Sequence, residues 1–107
     1  MSLRFAATEL TSLRRDLMTR GRILATLLAD VLAGKEPPEL AALLAQKPGM
    51  RPEEVLRLAL DQIESRRRLL DSGDDRFGRC DRCGVDLGLA RIREMPWADR
   101  CAEHATT

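Results

Sequence analysis

The stretch from Arg79 to His104, RCDRCGVDLGLARIREMPWADRCAEH, holds all three cysteines and the only histidine of a 107-residue chain. They stand as Cys80-x-x-Cys83 and Cys101-x-x-His104, with residues 84–100 between the pairs. A two-residue gap lets one tight turn aim two side chains at a single ion, and the intervening segment returns the chain to complete a tetrahedron. Gly84, directly after the first pair, suits that turn because glycine takes a positive φ without steric cost. A disulfide framework would leave one cysteine over and the histidine unexplained, and a redox CxxC would need no second pair. The spacing therefore predicts one zinc ion held by Cys80, Cys83, Cys101 and His104. Four protein ligands make a closed, structural site, since a catalytic zinc keeps one position open. Glu103 sits between two ligands with no second histidine to build a peptidase signature, so no enzymatic activity is expected.

Upstream, Leu3, Leu10, Leu17, Leu24 and Val31 recur every seven residues, and Ala6, Leu13 and Leu27 fill the fourth heptad position. This is a coiled-coil seam on a long helix over residues 4–33. Arg20 interrupts it, its aliphatic stem able to lie along the seam with the head in water. Gly34 and the Pro37-Pro38 pair stop the helix. A short apolar piece, Glu39 to Gln46, follows before Lys47-Pro48-Gly49 breaks the chain again. Pro52 at a first helical position, with Glu53 and Glu54 in the first turn, opens a second long helix over 52–72. Its stripe is Leu56, Leu60 or Ala59, Ile63, Arg67 or Arg66, and Leu70.

The expected architecture is mainly α: an antiparallel, coiled-coil-like helical hairpin over 1–72 with a connection at 34–51, then a zinc-finger module over 73–107. The first helix is the longer, so its initial turns, with Phe5 and Leu10, should overhang onto the zinc module or another subunit. Within the zinc loop, Val85, Leu87, Leu89, Ile92 and Trp97 are expected to form a small core over a short hairpin or turn.

Composition narrows the function. There are 18 Lys+Arg against 17 Asp+Glu, a net charge of +1, so nothing announces a nucleic-acid binder. Phe5, Phe77 and Trp97 are the only aromatics, too few for a base-stacking platform. Cysteines serving a metal fit a reducing cytoplasm. No compact apolar leader opens the chain, and the apolar run from Ile23 to Ala29 is far too short to span a membrane.

In its second half the sequence resembles the DksA/TraR family of zinc-finger proteins. The likeness is carried by Asp71-Ser72-Gly73, by Phe77-Gly78-x-Cys80-x-x-Cys83-Gly84, by Leu87-Gly88-x-x-Arg91-Ile92 and by Pro96-x-Ala98-x-x-Cys101. The resemblance implies a cytoplasmic bacterial transcription regulator whose hairpin enters the secondary channel of RNA polymerase, often together with guanosine tetraphosphate. It further implies that the hairpin tip acts near the polymerase's catalytic metal. The family's Asp-x-x-Asp-x-Ala tip motif is absent here, and His104 stands where cysteine is common. By position, Asp30, Glu36 and Glu39 are the nearest acidic substitutes, while Arg79 and Arg91 of the finger are further candidates for partner contact.

Two other readings compete. Arg66-Arg67-Arg68 with Arg76, Arg79 and Arg82 could make a nucleic-acid-binding finger, but Asp71, Asp74, Asp75 and Asp81 interleave with them and cancel the local field. A solvated helix face with i,i+4 pairs such as Arg67 with Asp71 accounts for the arginine run. Alternatively, a zinc-stapled helical adaptor could dimerise through the heptad seam.

Overall fold

The computed structural model describes residues 5–105, so Leu3, the first seam position, and Arg4 lie outside the described residues. Four helices account for the regular structure: α1 (Ala7–Leu32), α2 (Leu40–Gln46), α3 (Pro52–Asp71) and α4 (Leu89–Glu94). The described residues contain no strand.

The boundaries follow local chemistry. Glu9, at the third position of α1, accepts the Ala6 N–H on Oε1 at 2.8 Å and satisfies one of the donors a helix start leaves open. Pro52 occupies the first turn of α3, with Glu53 and Glu54 beside it. At the other end of α3, Gly73 takes φ +69°, which lets the Asp74 N–H fold back onto the Leu69 carbonyl at 2.9 Å.

α1 and α3 lie side by side and antiparallel. Arg14 near the start of α1 reaches Asp71 at the end of α3 (Nε to Oδ1, 2.7 Å), and Gly21 faces Ile63, where a methyl group added to the glycine would sit 3.5 Å from Cγ2. Leu13, Leu17, Leu24 and Leu27 are buried from α1, and Leu56, Ile63 and Leu70 from α3. Leu40 of α2 closes this core at the connection end. The heptad seam is thus filled by α3 of the same chain, which leaves none of its central leucines for a second copy.

The overhang expected of α1 lies against the cysteine-bearing segment. Phe5 meets Phe77 edge-on, with ring centroids 5.8 Å apart at 69°, and the Glu9 carboxylate pairs with Arg93 of α4 at 2.9 Å. Edge-to-face contact suits aromatic quadrupoles and adds to the apolar area both rings bury.

Four expectations need correction. The Arg20 head does not have water alone for a partner; its guanidinium carbon stacks over the Trp97 ring, 4.9 Å from the centroid. Arg66 is not part of a solvated face but is 4% exposed, whereas its neighbour Arg67 stays on the surface and makes the expected pair with Asp71 at 3.8 Å. The hairpin in the metal loop is reduced to one antiparallel bridge, Arg79 with Asp86, and α4 takes up the chain that follows. Val85, assigned to the small core, points outward at 48% exposure, while Ile92, assigned to the same core, is fully buried there on α4.

Candidate metal centre

Two turns build the centre, one at each cysteine pair. In the first, the Gly84 N–H donates to the Cys80 carbonyl and the Cys80 N–H to the Val85 carbonyl, both at 2.9 Å, and Gly84 takes the positive φ (+75°) that closes the loop. The Arg82 N–H points at Cys80 Sγ from 3.4 Å. In the second, the His104 N–H donates to the Cys101 carbonyl at 3.0 Å. One backbone bond joins the two turns, from the Asp81 N–H to the Asp99 carbonyl at 2.8 Å.

The side chains then converge. The ligand atoms of Cys80, Cys83, Cys101 and His104 all lie within 4.8 Å of one another. Cys83 Sγ and Cys101 Sγ are 3.7 Å apart, and His104 Nδ1 lies 3.5 Å from Cys80 Sγ and 3.2 Å from Cys101 Sγ. Sulfurs bound at about 2.3 Å to one tetrahedral ion would be about 3.8 Å apart, so this spacing fits a shared ion, whereas a disulfide requires about 2.05 Å. All three cysteines are free.

Charge supports the same conclusion. Burial pushes the Cys80 thiol up, but the N–H groups of Cys101, Cys83 and Arg82 directed at its sulfur outweigh that and bring it down to about 6. At Cys83 the Val85 N–H favours the thiolate, yet desolvation and the thiols of Cys101 and Cys80 prevail and hold its pKa above the ordinary value. Three thiolates cannot gather here without a cation to relieve their repulsion. The four residues can hold one metal ion.

The other residues singled out in the sequence divide between the two ends of the molecule. Arg79 is folded onto its own loop: its Nε donates to the Asp75 carbonyl, its Nη1 to the Gly84 carbonyl, and its Nη2 pairs with Asp75 Oδ2 at 3.2 Å. Arg91 donates to the Arg100 carbonyl at 3.2 Å. Both therefore brace the metal-binding segment. Asp74 ends the approach to it, and the Arg76 guanidinium and N–H hold its carboxyl down to about 2, so it stays ionised through the physiological range. Asp30, Glu36 and Glu39 lie at the opposite end, around the connection. Asp30 is half-buried with Lys35 4.0 Å away, and Glu36 and Glu39 are exposed.

Comparison with known proteins gives one distant relative. Over 57 residues, 53% of this chain, the sequence is 35% identical to the RNA polymerase-binding transcription factor DksA of Haemophilus influenzae. The match takes in 38% of that protein, so the chain spans well under half the length of the curated relative it matches. No family model matches, and no solved structure matches. The similarity, together with the Cys/His cluster, is a distant resemblance to DksA over about half of this chain.

Sequence reasoning missed Gln62 of α3, whose Nε2 donates to the Trp97 carbonyl at 2.9 Å and to Asp99 Oδ1 at 3.1 Å. It read Asp81, between the first two cysteines, only as an acid offsetting nearby arginines, and missed that it receives Arg66 Nη2 at 3.0 Å. A polar residue on the edge of an apolar stripe, one turn before an arginine in the same stripe, is the signal that could have revealed both. Among the described residues no helix is long and apolar enough to cross a membrane.

Proposed function

We propose that this chain is a bacterial transcription regulator that binds RNA polymerase by protein–protein contact and carries one structural zinc. The similarity to DksA carries this reading, and it is supported by the Cys/His cluster beside one end of an antiparallel helix pair. Zinc suits a donor set of three thiols and one imidazole, and it would tie the turn at Cys80–Cys83 to the turn at Cys101–His104. With its coordination filled by protein, the ion supplies folding energy and no chemistry, so the protein is a binding module rather than an enzyme.

The hairpin has only one end slim enough to lead into a channel. The other end carries the metal-binding segment, so the inserting part is Asp30 to Gln46, with the polymerase's secondary channel as the site and guanosine tetraphosphate as the co-ligand to test. Glu36 and Glu39, exposed beside α2, are the groups that would act there. Direct nucleic-acid binding is disfavoured because three of the arginines that would carry it are engaged: Arg66 of α3 with Asp81, Arg76 with Asp74 and Arg79 with Asp75. The adaptor reading loses its dimer seam to α3.

A pull-down with bacterial core RNA polymerase, without DNA, tests the reading. Wild-type chain is expected to be retained, and retention should survive salt that abolishes phosphate-driven binding. Glu36→Ala/Glu39→Ala is expected to bind nearly as well, because helix sides and finger supply the area, but to weaken any effect on transcription from a purified promoter. Absence of polymerase binding by the wild type would refute the proposal.

A further inference from the structure

Arg66 is the one charged residue in the buried interior of the described chain, and its surroundings leave it under-compensated. Nη2 donates to Asp81 Oδ1 at 3.0 Å and lies 3.4 Å from Ser65 Oγ. Nε and Nη1 are buried and reach no acceptor among the described residues. A guanidinium in such a place ordinarily takes a two-pronged carboxylate contact, because a buried charge without compensation is costly. Here it has one prong, to a carboxylate that is itself 38% exposed.

What adjoins that carboxylate supplies the missing balance. Asp81 follows Cys80 directly, and its N–H bonds the Asp99 carbonyl across the two turns. Asp99 Oδ1 in turn accepts Gln62 Nε2, from the residue one helical turn before Arg66. Gln62, Arg66, Asp81 and Asp99 thus form a closed polar circuit from α3 through both ligand turns and back. Three thiolates around a divalent cation carry one excess negative charge. A buried cation tethered to the residue beside a ligand is well placed to offset it.

We propose that Arg66 is a positioning residue of the metal centre: through Asp81 it fixes the Cys80–Cys83 turn for metal uptake, and its charge balances the anionic thiolate cluster. This rests on the zinc reading given above. Groups that orient ligands from outside the coordination sphere typically contribute about 10- to 100-fold to metal affinity. A residue that merely filled space between α3 and the finger would leave affinity unchanged when replaced by an apolar side chain of similar length.

The test is zinc affinity of the full chain, read by competition with a chromophoric chelator, alongside Trp97 fluorescence. Arg66→Met is expected to lose about tenfold or more in affinity, and Arg66→Lys, which keeps the charge, to regain most of it. Asp81→Ala removes the acceptor and with it the tether; it should show a loss of the same order. Arg66→Met within about threefold of wild type, or Arg66→Lys as weak as Arg66→Met, would overturn the assignment. Should Arg66→Met not fold, unchanged affinity in Asp81→Ala overturns it equally. Wild-type protein that takes up no zinc would refute the metal reading and the inference with it, whereas variants matching a zinc-loaded wild type refute the inference alone.

Discussion

Stripping the metal from this protein, or replacing Cys83 or Cys101 by serine, is expected to unfold residues 74–105 while α1 and α3 stay largely helical. The segment has little core of its own. Its fully buried apolar side chain is Ile92, supported by Phe77 and Ala98, and its regular structure amounts to one bridge and the six-residue α4. Metal binding contributes on the order of 10 kcal/mol of folding free energy in small zinc modules, more than so small a core can replace. Metal analysis of purified protein should give one zinc per chain. On chelation, Trp97 emission should shift as the ring leaves Arg20, and far-UV circular dichroism should fall only modestly. A segment that stays fully protected from proteolysis after the metal is gone would show that side-chain packing alone suffices.

Leu56→Ala should be the most damaging change in the helix pair. Leu56 is fully buried, as is Leu17 on α1, and both belong to the core that joins the two helices. Truncating a leucine in such a place costs about 2–5 kcal/mol through lost transfer energy and the cavity left behind. A domain of this size has roughly 5–15 kcal/mol in total, so the thermal midpoint should drop by on the order of 10 °C or more. Leu58→Ala is the matched control, because Leu58 is 50% exposed and its truncation should fall within about 0.5 kcal/mol of wild type. Equal effects from the two would mean that the seam of α3 is wrongly placed.

Much of this was legible in the chain itself, for reasons that can be named. The period of seven from Leu10 to Val31 marks a helix with one apolar stripe, and the breakers at Gly34, Pro37, Pro38, Pro48 and Gly49 mark where it must turn. Four ligand-type residues in two x-x pairs allow one convergence, which the sulfur spacing reproduces. The partner of the seam was not legible, because a periodic stripe reads the same whether a second copy or α3 covers it. Arg66 was left open, as an alternative to Arg67 in the apolar stripe and as part of a solvated run, because it stands among three arginines whose other members are exposed. α4 escaped notice because six residues cannot display helical period, and Arg20 because its ring partner lies 77 positions along the chain.

The polar links between the helices and the finger give the molecule a hinge-like mechanics. Arg20 holds Trp97 from α1, Gln62 and Arg66 hold both ligand turns from α3, and Arg14 crosses to Asp71, so the two helices are joined at the finger end by contacts that do not depend on their leucines. At the connection end the helices are joined by α2 and the turns around Pro37 and Pro48, and α2 buries only Leu40. Opening the hairpin should therefore resemble the opening of a clothes peg with its spring at the finger. Amide hydrogen exchange would show this as protection rising steadily along α3 from Val55 toward Leu70, with the metal-bearing end the last to exchange.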